Sequence, residues 1–288
     1  MFASGCAKDK GASGDGVETA AEIRCSSVSS RGDDVTMHLS VDDRRRFAHD
    51  GYVVVPGVVA ERLLVAADAE VDGLIESMDP HDGDRGPGPN LWFPPVRRLP
   101  RCDDVLRLSS ALSIADELVA PHQLEHRFDH IQVATTVPPY DHIPGGPHID
   151  GHRPGQHAPE SFTMLAAVFL TDQTAHLSGN LWVWPGSHLA HARLFHERGS
   201  TALLPSSGHA TLLSPPLALG APTEVTGRRG DLLLAHFLLG HNKGGNLAAH
   251  VRRTIYYRLA VPGHAQRWEQ TFLDPWTEYE PVRSAIAR

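Results

Sequence analysis

The sequence predicts a mainly β domain with flanking helices. Three features carry that prediction: helical periodicity before about residue 120, short apolar runs separated by turns from about 125 onward, and a nearly unbroken apolar run from Phe162 to Leu170. Short runs bounded by Gly, Pro and Asp at this spacing are the strands of a sandwich or barrel. The Phe162–Leu170 run reads as a central strand covered on both faces.

Residues 1–36 are rich in Gly, Ser, Ala and Asp without apolar periodicity, and are expected to form a disordered leader. They lack the basic start and apolar middle of a secretory signal. Met37 offers an alternative start, and 37–288 is read as one domain. Order begins at Ser40, an N-cap ahead of the acidic turn Asp42-Asp43. That helix should stop at Gly51, and Tyr52–Val55 then forms a short β-branched strand. A second helix is expected over about 60–78, with Leu63, Leu64, Ala67, Val71, Leu74 and Ile75 at helical spacing. From Asp79 to Arg101 the chain is dense in Pro, Gly and Asp and reads as a long loop holding Trp92 and Phe93. One further helix is predicted near 103–119.

Strands follow at Phe128–Thr136, Phe162–Leu170 and Gly179–Trp184, the last ending at the corner Pro185-Gly186-Ser187-His188. After a loop-rich passage, a strand is expected from Gly230-Asp231 through Leu232–Leu234 to His241, and another over Val251–Val261. The tail carries Trp268, Phe272, Trp276 and Tyr279, too many aromatics for a disordered end, and should pack on the domain.

Bulk properties exclude several functions. A formal charge of −8 argues against a nucleic-acid binder. No apolar run approaches the ~20 residues of a membrane-spanning helix. The three cysteines, Cys6, Cys25 and Cys102, are scattered and odd in number, so a disulfide framework is not expected and a reducing cytoplasm is the default compartment.

The chemistry centres on Pro147-His148-Ile149-Asp150-Gly151 and Gly240-His241-Asn242. In an extended strand, residues two apart share a face, so His148 and Asp150 can aim an imidazole and a carboxylate at one point. A second imidazole from His241 completes a two-histidine, one-carboxylate face with open coordination positions, the arrangement of non-haem Fe(II) oxygenases. An isolated His-x-Asp is more often a hydrogen-bonded pair. The preceding Gly145-Gly146-Pro147 turn and the distant histidine favour metal binding. His236 lies in the same strand as His241 and is read as a packed residue. His142, His152 and His157 flank the triplet in loops, where exposure or substrate contact is expected.

A dicarboxylate cosubstrate needs a basic partner, and arginine supplies it best through parallel hydrogen bonds. In the last strand Arg252, Thr254, Tyr256 and Arg258 share one face, which resembles a polar cavity lining. Arg253, Ile255, Tyr257 and Leu259 share the other, which resembles core. Parity therefore favours Arg252 over Arg253. Gln132 shares a face with His130 and is a candidate to touch the cosubstrate.

Together these residues resemble the phytanoyl-CoA dioxygenase family of Fe(II)/2-oxoglutarate oxygenases over about 39–262. The similarity lies in Leu39-Ser40 through Phe47, Asp50–Val55, His148-Ile149-Asp150, Gly179–His188, Gly230-Asp231, and His241 through Asn246 to Arg252. The resemblance implies a double-stranded β-helix (jelly-roll, cupin-like) core, Fe(II) on His148, Asp150 and His241, 2-oxoglutarate on Arg252, and O2 as the second cosubstrate. It implies that Ser187 and His188 are structural. Founding members carry a lysine beside the Pro-Pro before the triplet, where this chain has Val137, which points toward hydroxylation of a small secondary metabolite. Asp150 argues against halogenation, because related halogenases have a small residue there. The long 79–101 loop and residues 151–161 are expected to shape the substrate pocket, with Trp92, His152 and Arg153 as contacts. Two rivals stand beside this reading: a zinc-type hydrolase or isomerase on the same barrel, and a non-catalytic binding protein.

Overall fold

Two antiparallel β-sheets face each other, and helices cover the outer side of the larger one. The computed structural model describes residues 37–77, 91–92, 99–153 and 155–287. Residues 1–36, expected to be a leader, and most of 79–101, expected to be a loop, lie outside them.

Ser40 and Asp43 form a capping box that starts α1 (Val41–Asp50), and Gly51 ends it at φ 84°. Glycine is required there twice over: the backbone is left-handed, and a Cβ would stand 2.6 Å from Nδ1 of His188. β1 (Tyr52–Val55) and α2 (Glu61–Ser77) follow. The helix predicted over 103–119 is instead two helices, α3 (Pro100–Arg107) and α4 (Ala111–Val119). Ser109 breaks it: its hydroxyl donates to the Val105 carbonyl and accepts from the Ala111 amide, replacing helical bonds with local ones.

The large sheet joins β1, β2 (Leu91–Trp92), β3 (Glu125–Thr136), β4 (Met164–Phe169), β7 (Leu232–His236) and β9 (Arg252–Ala260) in the order β1-β7-β4-β9-β3-β2. The small sheet joins β5 (Leu181–Val183), β6 (Thr223–Glu224) and β8 (His241–Lys243) in the order β6-β5-β8. Alternation divides the large sheet's side chains between two cores. Met164, Ala166, Val168, Leu232, Leu234, Ile255 and Tyr257 pack toward the helices. Leu165, Ala167, Phe169, Leu233, Ala235 and Tyr256 pack between the sheets, with Leu181 and Val183 of β5. The Phe162–Leu170 run is thus central and doubly covered, as its composition predicts.

Two further expectations change. The strand predicted to reach His241 ends at His236 in the large sheet, and the chain then crosses to β8 in the small one. The corner Ser187-His188 opens a helix, α5 (Ser187–Arg198), within a stretch expected to be mostly loop. The aromatic tail forms α6 (His264–Leu273) and α7 (Glu280–Ile286), with Phe272 and Tyr279 fully buried. A buried relay fastens it: His264 links Ser161 to Glu278, and the Thr163 hydroxyl donates to the same carboxylate. Among the described residues, no helix is long and apolar enough to cross a membrane.

Candidate active site

His241 begins β8 at the edge of the small sheet, and His148 pairs with it there. Each backbone amide donates to the other residue's carbonyl at 3.0 Å, an isolated antiparallel bridge that sets the rings with centres 4.7 Å apart. Asp150, two residues on, returns to the same side. Its Oδ1 is 3.6 Å from Nε2 of His148 and 3.6 Å from Nε2 of His241. All three donor atoms lie within 4.8 Å of one another. Nδ1 of His241 is 2.9 Å from the Leu239 carbonyl. A proton on that nitrogen leaves the Nε2 lone pair aimed at the shared point.

Charge reinforces the convergence. Burial pushes the Asp150 carboxyl upward, but the Arg258 guanidinium and the two imidazoles outweigh it and hold the acid well below the usual carboxylate range. Burial lowers the basicity of His148. Burial acts the same way on His241, but its bond to Asp150 reverses the outcome and raises it. The set offers an anionic oxygen and two imidazole nitrogens, a donor mix suited to a borderline divalent metal such as Fe(II).

A cavity of about 270 Å³ opens beside the triad. β9 lines it with Arg252, Tyr256 and Arg258, three of the four residues that parity puts on that face, and Gln132 of β3 lines it too; the fourth, Thr254, is buried and accepts from Gln173. Arg252 is only 4% exposed. Its donors reach neutral oxygens: Tyr256 Oη at 2.6 Å, Gln173 Oε1 at 3.2 Å and the Ala134 carbonyl at 3.3 Å. Among the described residues no carboxylate pairs with it. Gly179 crosses its stem at φ 83°, so closely that a Cβ there would stand 2.4 Å from Cβ of Arg252. Arg253 points to the other face and pairs with Asp72 at 2.7 Å and Asp68 at 3.6 Å, both on α2.

The sequence profile described as Phytanoyl-CoA dioxygenase (PhyH) matches residues 47–254. The chain belongs to this family. Comparison with curated protein sequences found no match. Solved structures with a similar fold include the non-haem α-ketoglutarate-dependent carbocyclase SnoK from nogalamycin biosynthesis, 19% identical, covering 77% of this chain and 84% of that one at a TM-score of 0.54. Another is the epimerase SnoN in complex with Fe3+, α-ketoglutarate and nogalamycin RO, 20% identical, covering 76% and 82% at 0.52. A third is HygX from Streptomyces hygroscopicus with nickel, 2-oxoglutarate and hygromycin B bound, 19% identical, covering 77% and 87% at 0.50. At these identities the likeness shows the fold, a jelly-roll.

This cluster does not gather every residue singled out by sequence. His152, expected at the substrate, is buried instead: its ring stacks on Phe195, and Nδ1 is 3.1 Å from the Asp150 carbonyl. Arg153 is exposed and pairs with Glu160 at 3.2 Å. The backbone of Trp92 pairs with Thr135 at the sheet edge, while its side chain lies outside what is described. His142 stacks on Tyr140, and His157 is exposed. His236 is packed, with Nε2 2.9 Å from the Pro275 carbonyl. Ser187 accepts from the Gly240 amide, and Nε2 of His188 lies 3.1 Å from the Ala48 carbonyl, so both brace the scaffold. Sequence reasoning overlooked Lys243, which lines the cavity. The step of two from His241 on one strand was the available signal.

Proposed function

We propose that this chain is an Fe(II)/2-oxoglutarate-dependent dioxygenase that oxidises a small organic molecule, with hydroxylation as the reaction. The observation that carries the reading is Arg252, a buried guanidinium without a carboxylate partner among the described residues, lining the same cavity as three converging metal donors. Burying an unpaired charge is costly. A dianionic cosubstrate whose far carboxylate seats on Arg252 offsets that cost.

In this reading His148, Asp150 and His241 would hold Fe(II), a ligand set that supports oxygenase chemistry. Arg252, braced by Tyr256 and Gln173, receives the distal carboxylate through charge-assisted bonds, and Gln132 and Lys243 flank it. Bound there with 2-oxoglutarate and O2, the metal supplies the oxidising power, and the products are succinate, CO2 and the oxidised substrate. The protein positions the reactants and limits water around them. A substrate class of secondary metabolites is supported by Val137 in place of a lysine and by the fold shared with SnoK, SnoN and HygX. SnoK is named a carbocyclase and SnoN an epimerase, so the same fold accommodates more than one outcome. A hydrolase on this barrel would use the triad but leave Arg252 without a task.

The test is anaerobic addition of Fe(II) and 2-oxoglutarate to metal-free protein. The expected result is a weak visible charge-transfer band, lost in Arg252→Ala at low cosubstrate and recovered at high. Bound metal without the band would refute the reading.

A further inference from the structure

The two carboxylate oxygens of Asp150 have different neighbours. Oδ1 stands 3.6 Å from Nε2 of each histidine. Oδ2 instead receives two bonds from one guanidinium, Nη2 of Arg258 at 2.8 Å and Nε at 3.2 Å. Arg258 is held in turn. Its stem rises from β9 opposite Leu165 of β4, near the middle of the large sheet, and its guanidinium carbon lies 5.7 Å from the ring centre of buried Phe162.

We propose that Arg258 is a positioning residue for the metal: by occupying Oδ2, it presents Asp150 as a ligand through Oδ1 alone. The inference rests on the metal reading above. A carboxylate can grip a metal through one oxygen or two. A two-oxygen grip takes up a coordination position that cosubstrate and O2 require. Turning Oδ2 toward the metal would break two charge-assisted hydrogen bonds, so Arg258 opposes it. The same bonds fix the carboxylate plane before the metal arrives, and loss of such a partner lowers metal affinity by about 10–100-fold. Arg252 and Arg258 sit three same-face steps apart on β9, so one strand orients both the cosubstrate and the metal ligand.

The experiment uses Co(II) as the probe, titrated into the full chain, with affinity and visible absorption recorded. Arg258→Met removes both donors while keeping much of the stem. It should lose about 10–100-fold in affinity and change the intensity of the Co(II) absorption, which reports coordination number. Arg258→Lys, with charge but no fork, should fall between. In an Asp150→Asn background, Arg258→Met should change affinity by less than about twofold, because the two act as one unit. A folded Met variant with wild-type affinity and spectrum would overturn the proposal, as would an equal loss in both backgrounds. If the Met variant does not fold, the Lys variant decides: intermediate affinity supports the role, and wild-type affinity and spectrum overturn it. Wild-type protein that takes up no Co(II) would overturn the metal reading itself, a result distinct from tight binding unaffected by Arg258.

Discussion

Gly179→Ala is a single-methyl test of the cosubstrate site. The glycine sits at φ 83°, and an added Cβ would lie 2.4 Å from Cβ and 2.5 Å from Cγ of Arg252. Ordinary contact begins at about 3.4 Å, so the arginine stem must retreat by roughly 1 Å. The bonds from its head to Gln173 and Ala134 are already 3.2 and 3.3 Å long, and a shift of that size breaks both. The left-handed backbone adds about 1–2 kcal/mol for any residue with a Cβ. A displaced guanidinium forfeits charge-assisted bonds to the cosubstrate carboxylate worth about 1.5–3 kcal/mol. The expected result is a loss of 2-oxoglutarate affinity of about 10–100-fold, read by anaerobic titration of the charge-transfer band. Metal affinity should stay within about threefold, since the three atoms nearest an added Cβ all belong to Arg252, and a thermal melt checks that the variant folds. A folded variant with wild-type 2-oxoglutarate affinity would refute the role given to Arg252.

Further outcomes follow from the same geometry. His148→Ala should abolish both metal uptake and turnover, and an active, iron-loaded variant would sink that ligand assignment. Arg253→Ala should leave 2-oxoglutarate affinity unchanged and cost about 1 kcal/mol in a urea melt, because its close partner Asp72 is 53% exposed and Asp68 keeps its pair with Arg229; a raised KM would reverse the parity argument. Burial holds the imidazole of His188 down at about 3 and those of His191 and His236 at about 4, so all three stay neutral in the fold where the unfolded chain takes up protons. Stability of the metal-free protein should therefore fall as pH drops from about 6.5 toward 4, by up to about 4 kcal/mol per pH unit. A urea midpoint that does not move between about pH 7 and 5 would contradict this.

The sequence made the large sheet readable because burial on both faces turns period-two alternation into a sorting rule. In β9 that rule separates Arg252, which lines the cavity, from Arg253, which pairs with α2. The rule fails where the backbone is not a strand. Past Asp150 the chain turns at Gly151, φ 82°, so His152 does not repeat the direction of Asp150 and its ring enters the apolar cluster beside Phe195. Helix α5 escaped notice because its buried face includes His188 and His191, which an apolar pattern does not count. The stretch from Leu232 to Leu239, apolar but for His236, concealed a change of sheet, since composition is similar on either side of the crossing. The bond between Arg258 and Asp150 joins residues 108 positions apart, and no local period encodes a partner at that distance.

The division of labour between backbone types explains why metal and cosubstrate can be perturbed separately. His148 owes its place to a two-bond bridge with His241, the first residue of β8 in the small sheet. Arg252 owes its place to the large sheet and to the missing side chain of Gly179. Shifting the arginine stem leaves that backbone bridge unbroken, while removing an imidazole leaves the large sheet intact. Arg258 links the two, anchored in β9 and bonded to a triad carboxylate. Damage at Gly179 should therefore appear in 2-oxoglutarate affinity alone, whereas damage at Arg258 should appear first in the metal.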